Sequence, residues 1–98
     1  MGSAVAAERC VEVVLLTRDD CAFCEDAAAI LDRLGAEFPL AITCVDYDSE
    51  EGHRLALSGG MLFPPGIVIG GRPFSYGRPS ERKLRRELAG RSAREAVG

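Results

Sequence analysis

Two cysteines three positions apart are the residues of this chain best suited to chemistry. Cys21 and Cys24 follow a short apolar run, Val11 to Leu16, and precede apolar residues that recur at helical spacing. Cys21 is therefore expected at a helix N-terminus, where unpaired backbone N–H groups and the helix dipole favour a thiolate over a thiol. Two thiols one helical turn apart can close a disulfide, so the spacing predicts a reversible two-electron redox site.

The dithiol interpretation gives the two cysteines different roles. Cys21 is the predicted nucleophile, which forms a mixed disulfide with a substrate, and Cys24 then attacks that bond and releases the substrate. Neighbouring acidic residues oppose thiolate formation, because one negative charge disfavours another close by. They are Asp19, Asp20, Glu25 and Asp26. The thiol of Cys21 is accordingly expected to be less acidic than that of a strong disulfide oxidant.

The same spacing also occurs in structural zinc sites and in pairs of buried thiols, and the motif alone leaves both alternatives open. A zinc site needs two further ligands, but Cys10, Cys44 and His53 lack the paired spacing typical of such ligands. Cys44 lies in an apolar segment and is predicted to be a small core residue rather than a third redox thiol. His53 is expected to face solvent without a catalytic role. The redox interpretation is therefore favoured.

Length and composition predict a single domain. The 98 residues are 47% hydrophobic and 28% charged, which suffices for one core, over about residues 11–89, with flexible ends. The net charge of −3 argues against nucleic-acid binding, which needs a positive excess. The basic cluster Arg82 to Arg86 is interpreted as a solvated helix face, with the docking of an acidic partner as the alternative.

The chain lacks the sequence features of export or membrane insertion. No apolar run approaches the ~18 residues of a membrane span, and the first seven residues do not have the pattern of a secretory signal. We therefore expect a cytoplasmic monomer without membrane or nucleic-acid partners. Stable structural disulfides are rare in that compartment, which favours a catalytic or metal-binding role for the cysteine pair.

The order of predicted elements places the cysteine pair between a strand and a helix. Val11 to Thr17 is rich in β-branched residues and predicts a central strand, and the helix after the motif ends at Gly35. A second apolar segment, Leu40 to Asp46, predicts a strand parallel to the first, because a right-handed helical crossover joins them. The first half of the chain is therefore predicted to be a βαβ unit.

The second half of the chain has a different pattern. Asp48 to Glu51 predicts the start of a short helix, which a glycine pair at positions 59 and 60 ends. Gly66 to Ile69 and Arg72 to Tyr76, joined by a second glycine pair, predict a β-hairpin. Ser80 is predicted to cap a last helix that continues to about Ala89.

This arrangement resembles the thioredoxin fold in its compact glutaredoxin-like form. The resemblance covers roughly residues 11 to 89 and depends on the segment Thr17 to Cys24, the segment Pro65 to Gly71 and the spacing between them. It implies an α/β fold: a thioredoxin-like three-layer sandwich in the order β-α-β-α-β-β-α, with a four-stranded mixed sheet.

The resemblance also implies a set of site residues. Members of the family have a cis proline just before the third strand, facing the active-site disulfide, and Pro65 matches it. Arg18 matches the basic position that binds a glutathione carboxylate in the family, and the alternative is a solvated surface charge, because surface arginines are common. Phe23, between the two cysteines, and Pro64 complete the expected substrate-binding set.

The chain departs from the family where glutathione binds. The residue before the cis proline offers its backbone N–H and C=O to glutathione in glutaredoxins, but Pro64 has no N–H. Pro79 removes another donor near the start of the last helix. A lost hydrogen bond to a charged group typically costs ~1.5–3 kcal/mol, so weak glutathione binding is expected.

The resemblance implies a dithiol thiol–disulfide oxidoreductase that reduces protein or mixed disulfides. Its expected partners are a disulfide-containing protein and a cellular reductant, either glutathione or a thioredoxin-reductase type of donor. No resident cofactor or metal is expected, and glutathione is the alternative co-substrate. Two other functions stay open because a fold does not determine an activity: a non-catalytic binding module, and a metal or iron–sulfur carrier.

Overall fold

The computed structural model describes the backbone of residues 10–97 and the side chains of residues 10–91. Within this range, seven elements follow one another in the order β-α-β-α-β-β-α. The strands are β1 (Val11–Thr17), β2 (Leu40–Asp46), β3 (Gly66–Ile69) and β4 (Arg72–Tyr76). The helices are α1 (Ala22–Leu34), α2 (Glu50–Gly59) and α3 (Glu81–Val97). The predicted order and fold class are confirmed.

The four strands form one mixed sheet in the order β2-β1-β3-β4. β1 pairs in parallel with β2, where Leu15 lies opposite Cys44, and antiparallel with β3, where Leu16 lies opposite Gly66. β3 and β4 form a hairpin whose turn residues, Gly70 and Gly71, both have positive φ, which glycine adopts at low cost. β1 therefore lies inside the sheet, and β2 and β4 are its edges.

Helices cover both faces of the sheet because successive side chains of β1 point to opposite sides. On one face, the buried side chains of β1 and β3 pack against α1 and α3. This cluster contains Val11, Val13, Leu15, Ala27, Ile30, Leu31, Leu34, Ile67, Ile69, Leu84 and Leu88. On the other face, Leu16 and Val68 pack with Ala56 of α2 and with Met61. The two clusters produce the three-layer sandwich and pack α1 and α2 against the sheet.

The start of α2 is held close to the end of β2. The Ser49 hydroxyl accepts a hydrogen bond from the Gly52 N–H at 3.0 Å and donates one to the Asp46 carbonyl at 2.6 Å. A Cβ atom at position 52 would clash with the Asp46 carbonyl oxygen, so the close approach requires glycine there. This contact fixes the turn between Asp46 and Ser49.

Two predictions about packing and length were wrong. Cys44 is exposed instead of buried, because β2 is an edge strand in which Ala41 to Cys44 are all solvent-exposed. The last helix continues through Val97 instead of ending near Ala89. The expectation about the first seven residues lies outside the part of the chain that the structure describes.

Two predictions about the surface agree with the structure. His53 is exposed on α2, and most of the basic cluster from Arg82 to Arg86 is exposed on α3. Arg85 is the exception, since it is partly buried and pairs with Glu37 and Glu81. None of the described helices is long and apolar enough to cross a bilayer.

Candidate active site

Three segments meet at the end of the sheet where β1 finishes. Leu16 is paired with Gly66, so the chain that continues from Thr17 toward the cysteines lies at the same end as the residues just before Gly66. The Tyr47 N–H donates to the Thr17 carbonyl at 2.8 Å, which brings the turn after β2 to this end as well. The loop between β1 and α1 (residues 18–21, the cysteine loop), the turn after β2, and the loop between α2 and β3 (residues 60–65, the proline loop) therefore lie at the same end of the sheet.

The cysteine pair begins α1. Cys21 and Cys24 are joined by a disulfide, with 5.2 Å between their Cα atoms. Cys21 occupies the N-cap position in an extended conformation, and its sulfur accepts a hydrogen bond from the Cys24 N–H at 3.2 Å. After reduction, the same N–H and the positive end of the helix dipole would stabilise negative charge on the Cys21 sulfur. The predicted disulfide and the predicted helix start are both present.

The two cysteines differ in exposure. Cys24 is 2% exposed, and Cys21 is partly exposed. Asp20, which comes immediately before Cys21, has a φ of 56°, a left-handed conformation that aspartate tolerates better than most residues. The chain thus turns sharply just before the cysteine pair, and of the two cysteines only Cys21 is placed at the surface.

The proline loop contains a cis peptide bond between Pro64 and Pro65, as the resemblance implied. Both prolines are buried, and the Pro65 carbonyl accepts a hydrogen bond from the Gly77 N–H at 2.8 Å. Pro64 has no N–H to offer a ligand. The backbone beside the cysteines therefore lacks one donor that a peptide ligand could otherwise use.

Exposed apolar side chains surround this end of the molecule. Phe23 lies between the cysteines and is 44% exposed, and Leu62 and Phe63, just before the prolines, are 74% and 51% exposed. The rings of Phe63 and Tyr76 meet edge to face, with 5.1 Å between their centroids. Gly77 lies under the Phe63 ring, and a Cβ there would approach the ring to 2.9 Å. The chain maintains an aromatic surface beside the cysteine loop.

Arg18 makes a two-point ion pair with Asp48. Its Nε and Nη2 atoms donate to the two carboxylate oxygens, each at 2.8 Å, and its guanidinium lies 5.2 Å from the centroid of the Tyr47 ring. The hydrogen bonds from Arg18 lower the pKa of Asp48 from its ordinary value, and the same bonds raise the pKa of Arg18. The resemblance implied a substrate-binding role for Arg18, and in the structure its guanidinium is paired with Asp48.

Tyr47 connects this ion pair to the proline loop. Its hydroxyl donates to the Met61 carbonyl at 2.7 Å, and Met61 is 3% exposed. The Met61 sulfur packs against Gly66, close to the point where a Cβ on that glycine would be. The segment from Met61 to Gly66 is therefore held at both ends. A continuous set of contacts therefore leads from Arg18 through Tyr47 to the residues that precede the cis proline.

The described residues do not gather metal ligands. Among residues 10–91, no three His, Cys, Asp or Glu side chains form a group that could hold a metal ion. Asp19, Asp46 and Asp48 line a shallow cavity together with Arg18, Thr17 and Cys44. Three acidic residues against one arginine make this cavity unfavourable for a small anion.

A search of protein-family models and of curated proteins finds no match to this chain. Among solved structures, the chain is similar to a thioredoxin variant from Halobacterium salinarum, with a TM-score of 0.65 and 21% identity over 89% of this chain and 79% of that one. It is also similar to oxidised mitochondrial thioredoxin 3 from Saccharomyces cerevisiae, with a TM-score of 0.65 and 15% identity over 89% and 84%. At these identities the likeness shows the fold. The chain has a thioredoxin-like fold with a Cys-x-x-Cys disulfide.

The structure brings the predicted site residues to one end of the sheet. Cys21 and Cys24 are bonded, Pro65 is cis, and Phe23 is exposed. Their roles in catalysis and in substrate binding stay predictions. Sequence reasoning did not identify Tyr47 or Asp48, since each acts through contacts with residues that are distant in the chain. The sequence carried one weak signal for them. A turn that follows the second of two parallel strands lies at the same end of the sheet as the loop that follows the first, which here is the cysteine loop.

Proposed function

We propose that the protein is a dithiol thiol–disulfide oxidoreductase in which Cys21 is the nucleophile and Cys24 the resolving thiol. The observation that carries the proposal is the disulfide at the start of α1, with a partly exposed Cys21 and a buried Cys24. The thioredoxin-like fold supports it, because the disulfide lies at a helix N-terminus that follows β1, and the cis proline immediately precedes β3, which is paired with β1.

The reaction transfers two electrons from the dithiol to a substrate disulfide. The Cys21 thiolate attacks one substrate sulfur, the substrate S–S bond breaks, and its other sulfur leaves as a thiolate that takes up a proton. Cys24 then loses its proton and attacks the Cys21 sulfur, which forms the intramolecular disulfide and releases the second substrate thiolate. A dithiol donor, or two equivalents of a monothiol, returns the oxidised protein to the reduced state.

We further propose that the preferred substrates are disulfides in proteins rather than glutathione disulfides. Phe23, Leu62 and Phe63 offer apolar area to a polypeptide that presents its disulfide to Cys21, and burial of such area favours binding. Glutathione would gain little from this surface and would miss the N–H that Pro64 lacks.

Trapping of a mixed disulfide tests the proposed function. The Cys24→Ser variant lacks the resolving thiol, so it should accumulate a covalent complex with a model protein disulfide such as that of insulin, visible by mass spectrometry and reversed by dithiothreitol. Cys21→Ser should form no such complex, and Cys44→Ser in the Cys24→Ser background should trap as well as Cys24→Ser alone. Failure of Cys24→Ser to trap, together with no insulin reduction by the native protein, would contradict the proposed function.

A further inference from the structure

Arg18 is the basic residue nearest to Cys21 in the sequence. It is the only Lys or Arg between Val11 and Asp32, and it precedes Cys21 by three positions. Three residues span at most about 11 Å, so its Cα lies within that distance of the Cys21 Cα. A free guanidinium this near in the chain would attract a small thiol or disulfide that carries carboxylates, such as glutathione, as it approaches Cys21.

The Arg18 guanidinium is already engaged by a carboxylate of the same chain. Asp48 accepts from both Nε and Nη2 at 2.8 Å, which is the fork geometry in which arginine binds a free carboxylate. The backbone of Asp48 is held as well, since its N–H donates to the Asp46 side chain at 3.0 Å. The Tyr47 ring lies against the guanidinium, with 5.2 Å between its centroid and Arg18 Cζ, a cation–π distance that favours this position of the arginine.

The surroundings of the pair would also repel a second carboxylate. The cavity beside Arg18 is lined by three acidic residues, Asp19, Asp46 and Asp48, and by one basic residue, Arg18 itself. A ligand carboxylate that displaced Asp48 would leave the Asp48 charge unpaired in the same cavity. Displacement therefore exchanges one ion pair for another and adds repulsion.

From these contacts we infer that Asp48 is a specificity-determining residue, which occupies Arg18 with an internal carboxylate and thereby disfavours small carboxylate-bearing thiols at Cys21. The inference rests on the proposed function, because it explains why protein disulfides would be preferred. Asp48 acts through Arg18 and touches no reacting atom, so it is a positioning residue. Its removal should strengthen the binding of an anionic ligand without any change in the cysteines.

The direct test measures binding of S-methylglutathione, which carries the carboxylates but cannot react, to the oxidised protein by NMR titration. Asp48→Asn and Asp48→Ser should each bind roughly tenfold more tightly than the native protein, the change expected when one charge-assisted contact becomes available. Asp48→Glu retains a carboxylate and should stay as weak as the native protein.

Asp19→Asn is the matched control. It removes the same charge from the same cavity, but Asp19 makes no ion pair with Arg18 among the described residues, so it should strengthen binding much less than Asp48→Asn. In the double variant Arg18→Ala with Asp48→Asn, the gain should disappear, which assigns it to the released guanidinium. In a glutathione-coupled assay, Asp48→Asn should lower KM with little change in kcat.

Equal binding by the native protein, Asp48→Asn and Asp48→Ser would overturn the inference, and so would a gain that persists without Arg18 or that Asp19→Asn reproduces. The binding experiment does not need catalysis. If the Asp48 variants bind no more tightly but the native protein reduces insulin, only the role of Asp48 is contradicted. If the variants bind more tightly but the native protein reduces no disulfide, only the proposed function is contradicted.

Discussion

Cys21 and Cys24 belong to one motif but have different surroundings. The Cys24 side chain is nearly buried in α1, whereas Cys21 is partly exposed and its sulfur accepts the Cys24 N–H. Exposure and stabilised negative charge both increase the reactivity of a thiol, and in the reduced protein both favour Cys21. Cys44 is also exposed, but it lies on the edge strand and is unconnected to the disulfide.

Alkylation should distinguish these thiols. In the reduced protein at neutral pH, iodoacetamide should label Cys21 faster than Cys24, by roughly tenfold or more, because only Cys21 combines access with the helix N-terminus. In the oxidised protein, Cys44 should still be labelled whereas Cys21 and Cys24 should not. Peptide mass mapping over time measures all three rates, and equal labelling of Cys24 and Cys21 would reverse the assigned roles.

Pro64 gives a second prediction at the scale of one residue. Replacement of Pro64 with valine restores a backbone N–H beside the cis proline, so glutathione-dependent turnover should rise by roughly tenfold, the effect of one hydrogen bond to a charged ligand. Pro39→Val, in the exposed loop before β2, is the control and should leave turnover unchanged. If Pro64→Val has no effect, the missing donor does not limit glutathione use.

At the scale of elements, ion pairs connect α1 and the loop after it to the start of α3. Arg33 of α1 pairs with Glu81 at 2.7 Å, and Arg85 pairs with Glu37 at 2.6 Å and with Glu81 at 3.4 Å. The hydrogen bond from Arg33 lowers the pKa of Glu81, and that from Arg85 lowers the pKa of Glu37. These ion pairs connect the two helices that cover one face of the sheet. Because the ion pairs are exposed to solvent, salt and acid weaken them.

The lowered pKa values predict an acid dependence of stability. Unfolded glutamate titrates at about 4.3, so the ion pairs contribute fully above that pH and their contribution is lost as the pH falls through the lower folded values. The free energy of unfolding should therefore fall more steeply between about pH 5 and about pH 3 in the native protein than in Arg85→Met. Denaturant titrations at each pH measure the free energy of unfolding. Arg82→Met, on the exposed side of α3, should follow the native curve, and a parallel curve for Arg85→Met would contradict the prediction.

At the scale of the whole molecule, the larger apolar cluster between the sheet, α1 and α3 dominates stability. Leu34 is 0% exposed within it, so Leu34→Ala should lower the free energy of unfolding by about 2–5 kcal/mol. Leu57 lies on α2 and is 73% exposed, and Leu57→Ala should change the free energy by less than about 0.5 kcal/mol. Urea titration of both variants measures the difference, and similar losses would contradict this description of the core.

Local patterns predicted the elements of the fold well, and their relative positions less well. The apolar run Val11 to Leu16, the cysteine spacing and the glycine turns each determine structure through neighbours in the chain, and all were found as predicted. The exposure of Cys44 depends on which strand lies at the sheet edge, and an apolar strand of this length looks the same in either position. The pairing of Arg18 with Asp48 joins residues 30 positions apart, so no local signal identifies it.

The edge position of β2 also affects how its backbone exchanges hydrogen with solvent. A strand that pairs along one side directs alternate amides toward its neighbour and the others toward water. In deuterium oxide the outward amides of Leu40–Asp46 should exchange from the closed protein, whereas the inward ones should exchange only when β2 separates from β1. One short strand thus provides fast amides, which serve as an internal reference, and slow amides. The exchange rates of the slow amides give the opening free energy of the β1–β2 pair, which adjoins the turn that contains Asp48.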